Sequence, residues 1–162
     1  MSDRGLLASH APTLRAIIES VGVASLGDIV KQPGVIAVYR LTVYHHDGRA
    51  HDTVSTLTHS LTRGNRLETV VRLMFGGKPL VHNVTPRRYE HFVNTLNAVR
   101  FDQLRDQPDL PPYGADLWLL ERAAGSFNKS VVLAPARAEG VYAALCEAIR
   151  ADLPEALREL RY

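Results

Sequence analysis

The stretch TPRRYEHFVNTLNAVRFDQL, residues 85–104, constrains the fold more than any other part of this sequence. Thr85 suits a helix N-cap and Pro86 the first helical position. Apolar residues then recur at spacings of three and four, at Tyr89, Phe92, Val93, Leu96 and Val99, while Glu90, His91, Asn94 and Asn97 fall on the other side. Phe101 and Leu104 carry the apolar content to where the helix is expected to end. The flanking sequence has the period of strands, so the pattern predicts an amphipathic helix lying over a sheet.

Upstream of it the period is two. GVIAVYRLTVY is rich in β-branched and aromatic residues, and Asp47-Gly48 is a two-residue hairpin signal. A turn there would set Tyr44 opposite His51, Thr42 opposite Thr53 and Leu41 opposite Val54. One face then carries Tyr39, Leu41, Val43 and Val54 and packs inward; the other carries Arg40, Thr42, Tyr44, His46 and His51. Gly64-Asn65 and Gly76-Gly77 mark two further turns, giving a meander of about four antiparallel strands. After the helix, RDQPDLPPYG reads as a stiff extended loop, and ADLWLLERAAG with SFNKSVVLAP as a hairpin around Gly125. Trp118 lies in a run apolar enough to be covered on both faces.

The two ends are helical. After Pro12, residues Leu14, Ile17, Ile18 and Val21 form a short stripe that Gly22 stops, and Leu26, Ile29 and Val30 suggest one more turn. At the other end, Val141, Leu145, Ala148 and Ile149 form the inner stripe of a last long helix. Asp152 and Glu155 resemble a capping box, with Pro154 opening a short final helix. Runs of strands with helices between the runs imply α+β: one antiparallel sheet of five to six strands, meander plus hairpin, with helices packed mainly on one face. No boundary divides residues 1–162, so a single domain is expected, with 1–34 as a helical N-terminal segment.

Composition excludes several classes. With 46% hydrophobic and 22% charged residues the chain reads as globular, and no apolar run approaches the ~20 residues of a spanning helix. The opening residues lack a basic stretch leading into an apolar core, and Cys146 stands alone; together these point to a reducing cytoplasm. A formal charge of +2 is small for a nucleic-acid binder.

Several motifs offer chemistry. His45, His46, His51 and Asp52 cluster at the first hairpin, and imidazole with carboxylate is ligand chemistry for zinc or iron. The assumed register sets His46 and His51 diagonally on the outer face, two ligands where a site needs three or four. Ser126 and Lys129 match S-x-x-K only by letter, at a hairpin turn where strand geometry parts them. Lys78 follows Gly76-Gly77, but Pro79 and a strand-like run contradict a phosphate loop. No catalytic residue and no cofactor follow from these patterns.

Charge is more suggestive. Arg63, Arg66, Arg72, Lys78, Arg87 and Arg88 are opposed between positions 63 and 88 by Glu68 alone. Arg87 and Arg88 would fall in the first turn of the central helix, where the helix dipole disfavours cations unless an acid or a phosphate answers them. Pro111, Pro112 and Tyr113 add an apolar loop surface. The sequence therefore ranks first a non-enzymatic module that binds an acidic protein partner or self-associates. Second comes an enzyme or small-ligand-binding domain with a histidine-containing pocket between sheet and helices, and third a nucleic-acid-associated accessory protein.

Overall fold

The computed structural model describes the backbone from residue 4 and side chains from residue 10, both to residue 162; the first residues of the expected 1–34 segment lie outside the described ones. Two N-terminal helices, α1 (Arg4–Val21) and α2 (Leu26–Val30), precede strands β1 (Val35–Tyr44), β2 (Thr53–Leu61), β3 (Leu67–Met74) and β4 (Leu80–Asn83). Helix α3 (Pro86–Ala98) leads through a 3-10 turn to strands β5 (Leu117–Ala124) and β6 (Phe127–Leu133), then helix α4 (Val141–Asp152). All six strands form one antiparallel sheet in the order β4-β3-β2-β1-β5-β6. The class is the α+β one that the sequence predicts, with one antiparallel sheet, but the helices expected mainly on one face divide between both, α3 and α4 on one and α1 and α2 on the other.

Helix α3 has the origin the sequence assigns to it. The Thr85 hydroxyl accepts from Arg88 N and Pro86 opens the helix. Phe92, Leu96 and Val99 enter the main core, where they meet Tyr39, Leu41 and Leu57 of the sheet and Leu145 and Ile149 of α4. Arg100, in the left-handed region at φ 54°, ends the helix and turns Phe101 back into the same core. The opposite face carries a second layer: Leu14 and Ile17 of α1 pack on Val54, Leu117, Leu119 and Val132, and α2 sets Leu26 and Val30 against Val38 and Ala123. Helix α1 starts before Pro12, which lies in its interior instead of at its start.

The first hairpin departs from the expected register by one residue. Thr42 pairs with Val54, Val43 with Thr53 and Leu41 with Ser55. A slip of one residue exchanges faces, so Val54 joins Thr42 and the α1 layer, not Tyr39 and Leu41. The turn falls one residue before the expected Asp47-Gly48 pair: Gly48 N donates to His45 O at 3.2 Å, which makes His46 and Asp47 its central residues, and residues 45–52 all lie outside the ladder. Other partners take their backbone groups: His45 N donates to Asp52 Oδ1 at 2.8 Å, His46 N to Asp116 Oδ1 at 3.1 Å and His51 N to Leu160 O at 2.9 Å. The expected capping box is also absent. Asp152 closes α4 and its carboxylate accepts from His91, while Pro154–Leu157 is a 3-10 turn with no side-chain cap.

The proline loop covers the outer edge of β6. Asp106 Oδ1 accepts from Val132 N at 2.8 Å, and the Gln107 side chain bonds both Ala134 N at 3.0 Å and Ala134 O at 3.3 Å. Gln107 N also donates to Val132 O at 3.0 Å, so the loop occupies the Val132 end of this edge. Buried His10 of α1 holds the loop from below, its Nε2 donating to Pro111 O at 2.8 Å.

Gly34, at φ +82°, brings the start of β1 against the end of β2, where Leu61 N donates to Gly34 O at 2.7 Å. A Cβ there would strike the Leu61 carbonyl, a backbone atom that cannot swing aside. Gly34→Ala is expected to destabilise by about 1–3 kcal/mol from backbone strain. Thermal unfolding followed by circular dichroism checks this, and an unchanged midpoint would refute it.

Candidate functional site

The six cations of the 63–88 stretch do not converge. Arg63 and Arg66 are exposed at the β2–β3 turn and Lys78 at the β3–β4 turn. Arg72 stands on the sheet face that carries Arg40, opposite Thr56 of β2. Arg87 is exposed on α3, but Arg88 is engaged inside the chain. Its guanidinium donates to Glu155 at 2.6 and 3.0 Å and to Asp152 O at 2.6 and 3.0 Å. The acid that answers the first turn of α3 is therefore Glu155, and the same guanidinium caps the negative end of α4. Burial pushes the Glu155 carboxyl up, and the bonds from Arg88 outweigh it and hold it below its ordinary value. Of the proline loop, Pro111 is buried whereas Pro112 and Tyr113 are exposed.

The histidines also separate. His51 packs against Tyr162, the ring centroids 4.0 Å apart and the planes tilted by 48°, and takes no part with His46. His59 stacks on Tyr89 and bonds Thr69 at 2.9 Å; His91 bonds Asp152 at 2.6 Å. His45 and His46 remain, and they meet Asp116, a residue the sequence reading did not single out. Strand alternation already places His45 on the inner face with Val43, and there it is buried.

Around Asp116 the loops at one end of the sheet form a cleft of about 460 Å³. Val43 and Trp118 contribute sheet residues to its lining; Pro135, Ala136 and Leu157 contribute apolar wall. Its polar groups are His45, His46, Arg49, Asp116, Arg137, Arg150 and Glu159. Asp116 is the hub. His46 Nδ1 lies 2.7 Å from Asp116 Oδ1, and Arg49 grips both carboxylate oxygens while also reaching Asp47 at 2.9 Å and Glu159 at 2.9 Å. Burial pushes the Asp116 carboxyl up, but the hydrogen bonds from Arg49 and His46 win and hold it well below the usual carboxylate range. His45 Nδ1 is buried without a hydrogen-bond partner, 3.8 Å from Asp116 Oδ2. Arg150 lies 5.5 Å from the Trp118 ring centre, in cation–π range, and bonds Glu147.

His46, Asp47 and Asp116 present ligand atoms within 4.8 Å of one another, a metal-like grouping. Arg49 already stands on both of those carboxylates, so the position a cation would take is filled by a guanidinium. Among the described residues no hydroxyl or thiol lines the cleft. Cys146 is buried in α4, where burial pushes its thiol up to about 11, away from the reactive thiolate.

The sequence missed Asp116, Arg49, Arg137 and Arg150 because the cleft is assembled from four separated segments. The one available signal was His45 on the inward side of the first hairpin. Since the Asp116 carboxyl titrates lower in the folded chain than the ~3.9 of an unfolded aspartate, its ion pairs stabilise above about pH 4 and are lost as pH falls toward the folded value. The stability difference between the wild type and Asp116→Asn is expected to shrink as pH drops below about 4. Urea unfolding across that range measures it, and a constant difference would contradict the assignment.

Compared with known proteins, the chain matches no protein-family model and no curated protein.

Proposed function

We propose that the protein is a small-ligand-binding module whose ligand, an apolar or aromatic carboxylate, seats in the cleft over Trp118. The observation that carries this is His45: a buried imidazole with an unpaired Nδ1 in the lining of a half-open cleft of about 460 Å³. A buried polar atom left without a partner costs about 1–3 kcal/mol, a cost that a site built for a ligand is placed to recover. Apolar floor and wall from Val43, Trp118, Pro135 and Leu157 suit the body of the ligand, and Arg137 and Arg150 at the rim suit its charge. Asp116 does not repel it, because Arg49 and His46 neutralise that carboxylate. Among the described residues the lining carries no hydroxyl or thiol, so the chemistry on offer is recognition, with two imidazoles, His45 and the Asp116-oriented His46, as its uncommitted acid–base groups.

Trp118 is the sole tryptophan and reports on its own site. Benzoate is expected to change its emission saturably and the neutral analogue benzamide is not. Arg137→Ala is expected to weaken benzoate by about tenfold, the value of one charge-assisted hydrogen bond. Equal responses to the two compounds, or none to benzoate and hexanoate alike, would remove this reading.

A second reading, docking of an acidic partner or of another copy, draws on a different place. Leu61 and Leu67 face each other across β2 and β3 at 41% and 65% exposure, and the turn between them carries Arg63 and Arg66. An apolar pair flanked by cations suits an acidic, partly apolar surface. If copies associate here, Leu67→Asp lowers the mass found by sedimentation velocity and leaves the melting temperature unchanged. A partner that co-purifies with the wild type from its native cell and survives Arg63→Glu with Arg66→Glu would exclude the patch as its seat.

A further inference from the structure

The other face of the sheet holds a second concavity, of about 550 Å³, with no residue in common with the first. It lies over β2 and β3 and is walled by the α1–α2 connection and by Ile29 and Gln32. Its most unusual member is Arg40, in the middle of β1 at 2% exposure. Arg40 Nε donates to the Thr56 hydroxyl at 3.2 Å and Nη2 to Ala24 O at 2.7 Å. Nη1 has no hydrogen-bond partner among the described residues. The acid opposite on β5, Glu121, forms no ion pair with Arg40 within 4.0 Å, and its buried Oε1 is itself unpartnered. Burial pulls the Arg40 guanidinium below its ordinary value, and Glu121 offsets this only through space, without contact, so a buried cation keeps hydrogen-bonding capacity toward the concavity.

Strand register shows what surrounds it. One row crosses the sheet as Glu121, Arg40, Thr56, Arg72. Arg40 and Arg72 are two strands apart, about 10 Å between backbones, on the same face with the Thr56 hydroxyl between them. Two long cationic side chains rooted at that separation can close on one oxyanion from either side. Glu121 stands on the far flank of Arg40, away from Arg72. Along the same face, hydroxyls continue at Thr58 and Ser60, and Glu68 lies about 13 Å along β3 from Arg72. The concavity thus has a cationic end and a hydroxyl-and-carboxylate end, the latter matched to alcohol groups that donate and accept.

We infer that this face binds a phosphorylated polyhydroxyl compound, its phosphate between Arg40 and Arg72 over Thr56 and its hydroxyl groups toward Thr58, Ser60 and Glu68. Burial explains the division of labour: Arg40 is fixed and desolvated, so it supplies a preorganised half-site, while exposed Arg72 closes over the ligand. The site rests on rigid strands instead of loops, and it is independent of the cleft at Trp118.

Glycerol phosphate, inorganic phosphate and glycerol are the probes, each titrated into the full-length, isotopically labelled protein and followed by amide chemical shifts. Glycerol phosphate is expected to shift Thr56, Thr58 and Arg72 saturably, more tightly than inorganic phosphate, with no response to glycerol. Arg72→Ala, an exposed change, is expected to weaken it by at least about tenfold. Arg158→Ala, which removes a distant exposed cation, is expected to leave it unchanged. Thr56→Val weakens binding through a second route that keeps both charges. The inference is overturned if Arg72→Ala with a native melting temperature binds as the wild type does, or if the shifts centre on Arg63 and Arg66. Shifts that rise without saturating overturn it too, and inorganic phosphate binding as tightly as glycerol phosphate overturns the ligand class.

Discussion

Strand β1 carries both layers of this protein. From Ala37 to Val43 every side chain is buried, alternately under α3 and α4 on one face and under α1 and α2 on the other. Each aliphatic residue in such a run contributes roughly 1.5–3 kcal/mol relative to exposure. Because β1 pairs with β2 on one side and β5 on the other, it also fixes which residues of its neighbours face each layer. A charged residue in that run is therefore conspicuous. Arg40 is the only one, and the concavity beside it is the place where the burial rule is set aside.

The two helices over the main core are held by charge as well as by packing. Arg88 leaves the N-terminal turn of α3, pairs with Glu155 and bonds the last carbonyl of α4 twice, while His91 bonds the Asp152 carboxylate one turn further on. The positive end of one helix is thereby tied to the negative end of the next. A cation misplaced with respect to its own helix becomes well placed with respect to its neighbour. This consumes Arg88 and leaves Arg87 exposed, so adjacent arginines with the same sequence context have different roles.

Much of the architecture was legible because it depends on local periodicity. Spacings of three and four at Tyr89, Phe92, Val93, Leu96 and Val99 define α3, and the period of two defines the meander and the β5–β6 hairpin. What failed depends on contacts distant in sequence. The β1–β2 register followed from taking Asp47-Gly48 as a two-residue loop. It slipped by one because Asp116 and Leu160, far along the chain, claim the backbone groups of residues 45–52. The histidine pair His46 and His51 dissolved for the same reason. No property of either residue reveals that Tyr162 waits for one and Asp116 for the other.

The same slip explains why the cleft exists. A tight two-residue hairpin would have continued the ladder through His46 and left a solvated rim. Instead the chain opens at Tyr44 and folds over the end of β5, which buries His45 and brings Arg49 onto Asp116. The arginine then neutralises a carboxylate that would otherwise compete for any cation or repel any anion. What remains facing the cleft is apolar surface, the imidazoles of His45 and His46, the rim cations Arg137 and Arg150, and Glu159 held by the same Arg49. A concavity with its own acid already satisfied discriminates by what it lacks. Among the described residues its lining holds no carboxylate free of a cation and no hydroxyl or thiol, which is the premise of the anion-binding reading proposed above.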